Sequence, residues 1–267
     1  MKVFDLIKLD KDSILGMLYI DLARPAVKVV GDVLGKVLAY IARPLLVLVS
    51  SSEEAKTTTA HNLEKLGEKV LRVPENQRCD INPQIGVPVL ERLTYTTSEQ
   101  IADLFTTLLA RASDSRTRGM VHPSFVGIID NLSSDEALII KYIKETDFRD
   151  IEFCSVRAIK RVSGGFETRL DHVTNIPAHV KKMLFPENTG AYMSNLLRLG
   201  ILYEPQGTPL KDKTEYQKIK DNPKIVEEES TLDTSVYSRL EYKEGYYSIT
   251  PFGRLFINTV IPDTTNQ

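Results

Sequence analysis

The chain has 267 residues, 42% hydrophobic and 26% charged, with 34 Lys+Arg against 36 Asp+Glu for a formal charge of -2. That length buries one large core or two modest ones without a covalent staple. The near balance of charge argues against a protein built mainly to coat nucleic acid, whose footprint is a large positive excess. Cys79 and Cys154 lie far apart, with no CxxC and no metal-ligand spacing, so neither a disulfide framework nor a zinc site is expected and a reducing cytoplasm is the expected compartment.

Met1 to Asp12 alternates charged and apolar residues and lacks the apolar run and small-residue cleavage site of a secretory signal. Ile14 to Val49 is the most apolar region, but Arg24, Lys28, Asp32, Lys36 and Arg43 interrupt it before the roughly 20 residues that span a bilayer. From Pro25 onward, Val27, Val30, Leu34, Val37, Leu38 and Ile41 recur at helical spacing opposite Lys28, Asp32, Lys36 and Arg43. This is an amphipathic helix that needs a cover for one face: the protein core or, after a trigger, a membrane surface. A second helix is expected from Ala55 to Val70, softened by the Thr57 to Thr59 run, and the proline-rich stretch Val73 to Pro88 reads as an irregular connection before a short helix reaching Leu93.

Thr97 with Gln100 makes a capping-box start for a helix carrying Ile101, Leu104, Phe105, Leu108 and Leu109 to about Ala112. After a polar loop, Pro123 suits the first turn of a short helix with Phe125, Ile128 and Ile129, and Ser133 with Glu136 caps another through Ile143. Phe153 to Val162, a Ser163-Gly164-Gly165 turn and Phe166 to Val173 read as a β-hairpin. Helices are expected over Ala178 to Leu184 and Thr189 to Leu199, the second closed by Gly200. A strand then leads into an excursion from Pro205 to Lys243, with seven Lys/Arg and eight Asp/Glu and either a short helix around Tyr216 to Lys220 or partial disorder, before a strand over Tyr246 to Thr250 and a helix from Pro251 capped by Thr250.

Helix, glycine, strand, long excursion, strand, Thr-Pro, helix is the order of a winged helix, and LLRLGIL and YYSITPFGRLF resemble that class. The expected fold is therefore mainly α within an α+β whole. A helical domain over residues 1–131 is followed by a winged-helix-like domain over residues 132–267, with a β-hairpin at about 152–173 and a wing insertion at about 205–243. The presumed recognition helix offers only Asn195 and Arg198, with Glu187 just before it, which is poor equipment for reading base edges.

The segment Leu93 to Ile143, above all His122-Pro123-Ser124-Phe125 after Val121 and the stretch Leu132 to Ala137, resembles the bacterial abortive infection alpha family. The apolar N-terminal helices, the Leu-Gly-Ile-Leu helix exit and the Thr-Pro-Phe-Gly helix start fit the same family. The resemblance implies a cytoplasmic bacterial or prophage-encoded protein of phage exclusion, and it carries over no catalytic residues.

His122 beside Ser124 and the Arg116/Arg118 pair has the elements of a general base, but a helix-capping role is the simpler reading. His61, His172 and His179 show no metal spacing, Ser124 lacks a Gly-x-Ser-x-Gly elbow, and Gly164-Gly165 is a lone turn outside any phosphate-binding loop. No cofactor, small-molecule substrate or enzymatic activity is expected. Arg157, Lys160, Arg161 and Arg169 of the hairpin, with Arg198, are the candidate polyanion-binding residues, because strand alternation can gather several of them on one face. The expected activity is non-enzymatic binding of a macromolecule, a protein partner or a second copy of the chain, with duplex DNA and a membrane surface as alternatives.

Overall fold

A computed structural model describes residues 29–37, 40, 52–207 and 209–262. They are mostly helical, with a four-stranded antiparallel sheet curled like half a barrel in the C-terminal half. The chain divides into two units: the described residues of Met1–Ala137 with Phe256–Gln267, and Leu138–Leu255.

In the first unit, residues 29–37 are helical and bury Val29, Val30, Val33, Leu34 and Val37, while Asp32 and Lys36 are exposed. The apolar stripe is thus part of the core. Val27, Leu38 and Ile41 of the same expected stripe lie outside the described residues. The segment docks where its neighbour has no side chain, since a Cβ on Gly86 would stand 2.5 Å from Val37 Cγ2, and Ile81 N–H donates to Val33 O at 3.1 Å.

Helix α1 (Glu53–Leu71) is capped by Ser52, whose Oγ accepts from Ala55 N–H at 3.0 Å. It runs unbroken through its threonines because Thr57 and Thr59 donate their hydroxyls back to the carbonyls of Glu53 and Ala55. The proline-rich stretch is more ordered than its composition suggests. Helix α2 (Pro83–Leu93) uses Pro83 in its first turn, where no N–H is needed, and Asn82 as cap. Helix α3 (Glu99–Ala112) starts one residue later than expected, with Ser98 in place of Thr97 accepting from Ile101 N–H at 3.3 Å.

A polar ladder joins α1 to α3. Lys69 Nζ donates to Asp103 Oδ1 at 2.5 Å, Thr107 Oγ1 at 2.6 Å and Thr106 Oγ1 at 3.0 Å, while Lys65 and His61 both hold Glu99. Burial lowers the Lys69 pKa, opposed by the adjacent Asp103 carboxylate. Helix α4 (Ser124–Asp130) and helix α5 (Ser134–Glu145) follow. The capping box of α5 forms as expected: Glu136 Oε2 accepts from Ser133 N–H at 2.6 Å and Ser133 Oγ from Glu136 N–H at 3.2 Å.

The second unit holds β1 (Ile151–Lys160) and β2 (Phe166–Thr174), the expected hairpin, and then α6 (Ile176–His179) and α7 (Thr189–Arg198). The helix expected over Ala178 to Leu184 is a single turn placed earlier. Pro177 sits in that turn, and Lys182 at φ +67 is incompatible with a continuing right-handed helix. Gly200 at φ +71 ends α7 as expected, leading to β3 (Leu202–Tyr203).

The excursion folds instead of forming a loop-like wing. It builds α8 (Thr214–Lys220), α9 (Pro223–Ser230) and the first part of β4 (Tyr237–Ile249) before α10 (Pro251–Val260). Strand β4 pairs with β1 from Ile151↔Tyr247 to Lys160↔Tyr237 and with β3 only at Leu202↔Ile249 and Tyr203↔Ser248, giving the order β2-β1-β4-β3. The strand expected at Tyr246 therefore begins at Tyr237.

Candidate polyanion-binding face

Alternation along β1 and β4 gives the sheet two unlike faces. Cys154 and Val156, with Leu240 and Tyr242, pack under Tyr216, Ile219 and Ile225 of α8 and α9. Burial in this core pushes the Cys154 thiol up to about 11, which removes it as a nucleophile. Phe153, Ser155, Arg157 and Ile159, opposite Gly245, Lys243, Glu241 and Arg239, lie on the other face.

One end of this second face is filled. Phe153 packs against Tyr247 at 4.8 Å and His172 at 4.2 Å, and it occupies the place a side chain on Gly245 would need, 2.4 Å from its Cζ. The other end is open. Arg239, Glu241 and Lys243 are exposed beside Arg157, and Phe166 on β2 is 53% exposed with the Arg157 guanidinium 4.2 Å above its ring. Arg157 Nε is buried with no hydrogen-bond partner.

Charge is distributed as unequally as cover. On the helix-covered side Arg169 is paired with Glu167 at 2.9 Å and Glu228 at 2.8 Å, Glu244 takes Lys213 at 2.6 Å and Lys220 at 2.9 Å, and Tyr242 donates to Glu229. Glu228 and Glu229 of the excursion are engaged there. On the open side, among the described residues, neither Arg157 nor Lys243 has a carboxylate within ion-pair distance, and Arg239 has only Glu241 at 3.7 Å. An exposed pair at that distance contributes little, roughly 0–1 kcal/mol, so it does not cancel the local field.

The sequence-predicted cations do not converge. Arg157 lies on the open face, whereas Lys160, opposite Tyr237, and Arg169 belong to the covered side, where Tyr237 also bonds Glu167 at 2.7 Å. The β1–β2 ladder is irregular between Cys154 and Arg157, and a register shift of this kind moves side chains from one face to the other. Arg161 donates Nε to Thr234 O at 2.6 Å near the turn, and Arg198 ends α7 with its guanidinium on Asn195 Oδ1 at 2.7 Å. Arg239 and Lys243 were hidden inside a stretch read as an excursion. The alternation of Leu240 and Tyr242 with Arg239, Glu241 and Lys243 was the signal that could have revealed them.

The His122-Pro123-Ser124-Phe125 motif builds the start of α4. His122 is exposed, with Nδ1 2.6 Å from Ser124 Oγ and accepting Ser124 N–H at 3.2 Å, and Phe125 is fully buried edge-on against Phe256 at 5.2 Å. His61 pairs with Glu99 and His172 lies in the aromatic cluster. His179 borders a cavity of about 50 Å³ lined by Tyr142, Arg149, Glu152, Asn175 and Glu215, among others. There its ring stacks on Tyr142 at 5.8 Å and its Nε2 stands 3.3 Å from Glu215 Oε2. Glu215 also accepts from Lys218 at 2.6 Å and Asn175 at 3.3 Å, and Arg149 meets Glu152 at 3.1 Å, so Glu215 and Glu152 are each engaged by a cation. Among the described residues no group of three or more His, Cys, Asp or Glu is placed to hold a metal, and no helix is long and apolar enough to cross a membrane.

Residues 55–260 match the sequence model of the family described as abortive infection alpha. The chain belongs to the abortive infection alpha family. No functionally curated protein matches the sequence. Among solved structures, an uncharacterized protein from the hydrocarbon-degrading marine bacterium Alcanivorax borkumensis SK2 is similar at 15% identity and a TM-score of 0.35, covering 53% of this chain and 92% of that one. The abortive infection alpha match runs from α1 to the last residue of α10, and so includes the open face and the His179 cleft.

In this abortive infection alpha chain the cleft is a clasp with a defined pH response. Lys218 first, then Asn175 and His179, hold the Glu215 carboxyl down to about 2 against the opposing effect of burial. Its unfolded value is about 4.3. The folded pKa is depressed, so the stabilisation is complete above the unfolded pKa and is lost as pH falls from about 4.5 to 2, and is worth about 2–3 kcal/mol. Glu215→Gln should lower the Tm at neutral pH and flatten its fall across that window in calorimetry. A parallel fall in both proteins would remove this assignment.

Proposed function

We propose that this abortive infection alpha protein excludes phage without catalysis, by binding a polyanionic macromolecule through the open face of its sheet. The observation that carries the reading is the contrast between the two faces. Glu228, Glu229 and Glu244 engage the polar groups of the covered side, whereas on the open side Arg239 and Lys243 are exposed beside the half-buried Arg157, opposed by Glu241 and, next to Lys243, by Asp171.

The alternatives have less support. The order of elements from α7 to α10, with β3 paired to β4, supports reading this end as a winged-helix-like module whose wing has grown into a cover for the sheet. Its α7 is poorly equipped for a major groove, since Arg198 is bonded to Asn195 on the same helix. The N-terminal amphipathic helix turns its apolar face inward, with Leu34 1% exposed, which supports a packing role over a membrane one.

The test is a phage challenge of bacteria carrying the gene, scored for survival and phage yield at low and high multiplicity. Arg157→Glu/Arg239→Glu/Lys243→Glu should abolish exclusion, while His179→Ala and His122→Ala retain it. Loss with either histidine variant and retention with the charge-reversed protein would replace binding by catalysis as the working account.

A further inference from the structure

The open face carries information about its ligand beyond charge. Building on the reading that this face binds a polyanion, we infer that it takes single-stranded nucleic acid, with phosphates on Arg157, Arg239 and Lys243 and a base on the Phe166–Arg157 stack.

Spacing is the first argument. Arg239 and Lys243 are on the same face of β4, four residues apart and hence about 13–14 Å at ~3.4 Å per residue. Arg157 stands on the neighbouring strand opposite Glu241, between them. The three cations therefore follow an extended path along and across the strands, suited to a flexible backbone laid over a sheet.

The second argument is the ring. Ile159 pairs with both Phe166 on β2 and Arg239 on β4, so Phe166, Ile159 and Arg239 form one row across the sheet. Thr168, Arg157 and Glu241 form the next. An exposed aromatic side chain beside cations is the arrangement on which unpaired bases stack, because every base offers a π-face and the guanidinium adds a second flat surface. In a duplex the bases show only their edges in the grooves, and a ring lying on a sheet gains little from them.

The third argument is Glu241. A carboxylate amid the cations repels a phosphate brought close to it but accepts hydrogen bonds from the N–H groups that unpaired bases expose. A surface meant only to hold phosphates gains nothing from it. Three cations with Glu241 and, beside Lys243, Asp171 as acceptors, together with one exposed ring, fit a strand whose bases are turned toward the protein.

The experiment uses the full chain and fluorescence anisotropy with oligo(dT), oligo(rU) and a duplex of equal length, with heparin as a polyanion that has no bases. Either single strand should bind at least tenfold more tightly than duplex. Phe166→Ala should weaken single-strand binding about 5- to 100-fold, as expected for one stacked base, and leave heparin binding unchanged. Phe166 is half exposed, so this variant should keep the circular dichroism of the parent. Equal affinity for single strand, duplex and heparin, all insensitive to Phe166→Ala, would overturn the single-strand inference and leave polyanion binding standing. Failure to bind any of the four would overturn both.

Discussion

Gly253→Ala should destabilise the protein by about 3 kcal/mol, lowering the Tm by roughly 6–12 °C. Helix propensity alone gives the opposite sign, since alanine replaces glycine inside α10 with a gain near 1 kcal/mol. Packing decides the outcome. An added Cβ would lie 2.2 Å from Ile201 O and 2.8 Å from its carbonyl carbon and Cα, and backbone atoms cannot escape by changing rotamer. Relief requires α10 to move away from Gly200 and Ile201. That movement breaks the bonds of its cap, in which Thr250 Oγ1 accepts Gly253 N–H at 2.8 Å and donates to Gly200 O at 2.6 Å. Gly127→Ala in α4 is the control, because nothing lies within 4 Å of its added Cβ. It should be neutral or slightly stabilising. Equal Tm values for the two variants in differential scanning calorimetry would show that the close approach of α10 to residue 201 is absent in solution.

Leu34→Asp should cost at least about 4 kcal/mol, combining lost apolar burial with a desolvated charge, and should leave little folded protein. Leu34 is 1% exposed and its neighbours Val30 and Val37 are 4% and 0% exposed, so the carboxylate would meet only apolar groups along this stripe. Tyr40→Ser, at a residue 71% exposed, should change stability by no more than about 0.5 kcal/mol. The pair separates two roles of the N-terminal amphipathic helix. If Leu34→Asp keeps the parent Tm and loses only association with anionic vesicles, the helix serves a membrane and not the core.

Features set by near neighbours in the chain were readable from the sequence. The Ser133/Glu136 box, the Thr250 cap, the Gly200 exit and the Ser163-Gly164-Gly165 turn each depend on residues within a few positions, where side-chain chemistry and backbone freedom suffice. The short helix reaching Leu93 was expected, but its start at Pro83 was missed for a local reason, since proline at a helix start is favourable and not disruptive.

Strand β4 was a different case. Its charged residues look like loop until β1 is beside it, and the Ile151↔Tyr247 pairing joins residues far apart in the chain. Helix α8 was legible as the short helix expected around Tyr216 to Lys220, but α9 was obscured, because Ile225 joins Tyr216 and Ile219 in one face only over Cys154 and Val156. The candidate site inherited that gap. Hairpin cations were legible as charges, but the face each occupies depends on the irregular β1–β2 register, which separates Arg157 from Arg169, and the face itself is completed by Arg239 and Lys243.

Membership of the abortive infection alpha family suggests an abortive-infection role, and the open face of the sheet is the surface proposed for it. A binding mechanism of this kind sequesters a polymer and does not consume it, so exclusion should scale with the amount of protein relative to its target.

The most direct measurement of that account is the salt dependence of single-strand affinity for the full chain and for Arg157→Glu/Arg239→Glu/Lys243→Glu. Neutralising three phosphates on a single strand gives a slope of log K against log salt of about -2. The account predicts that slope for the parent and no measurable binding for the charge-reversed protein. Binding that is insensitive to salt, or that survives the triple reversal with the same slope, would contradict it.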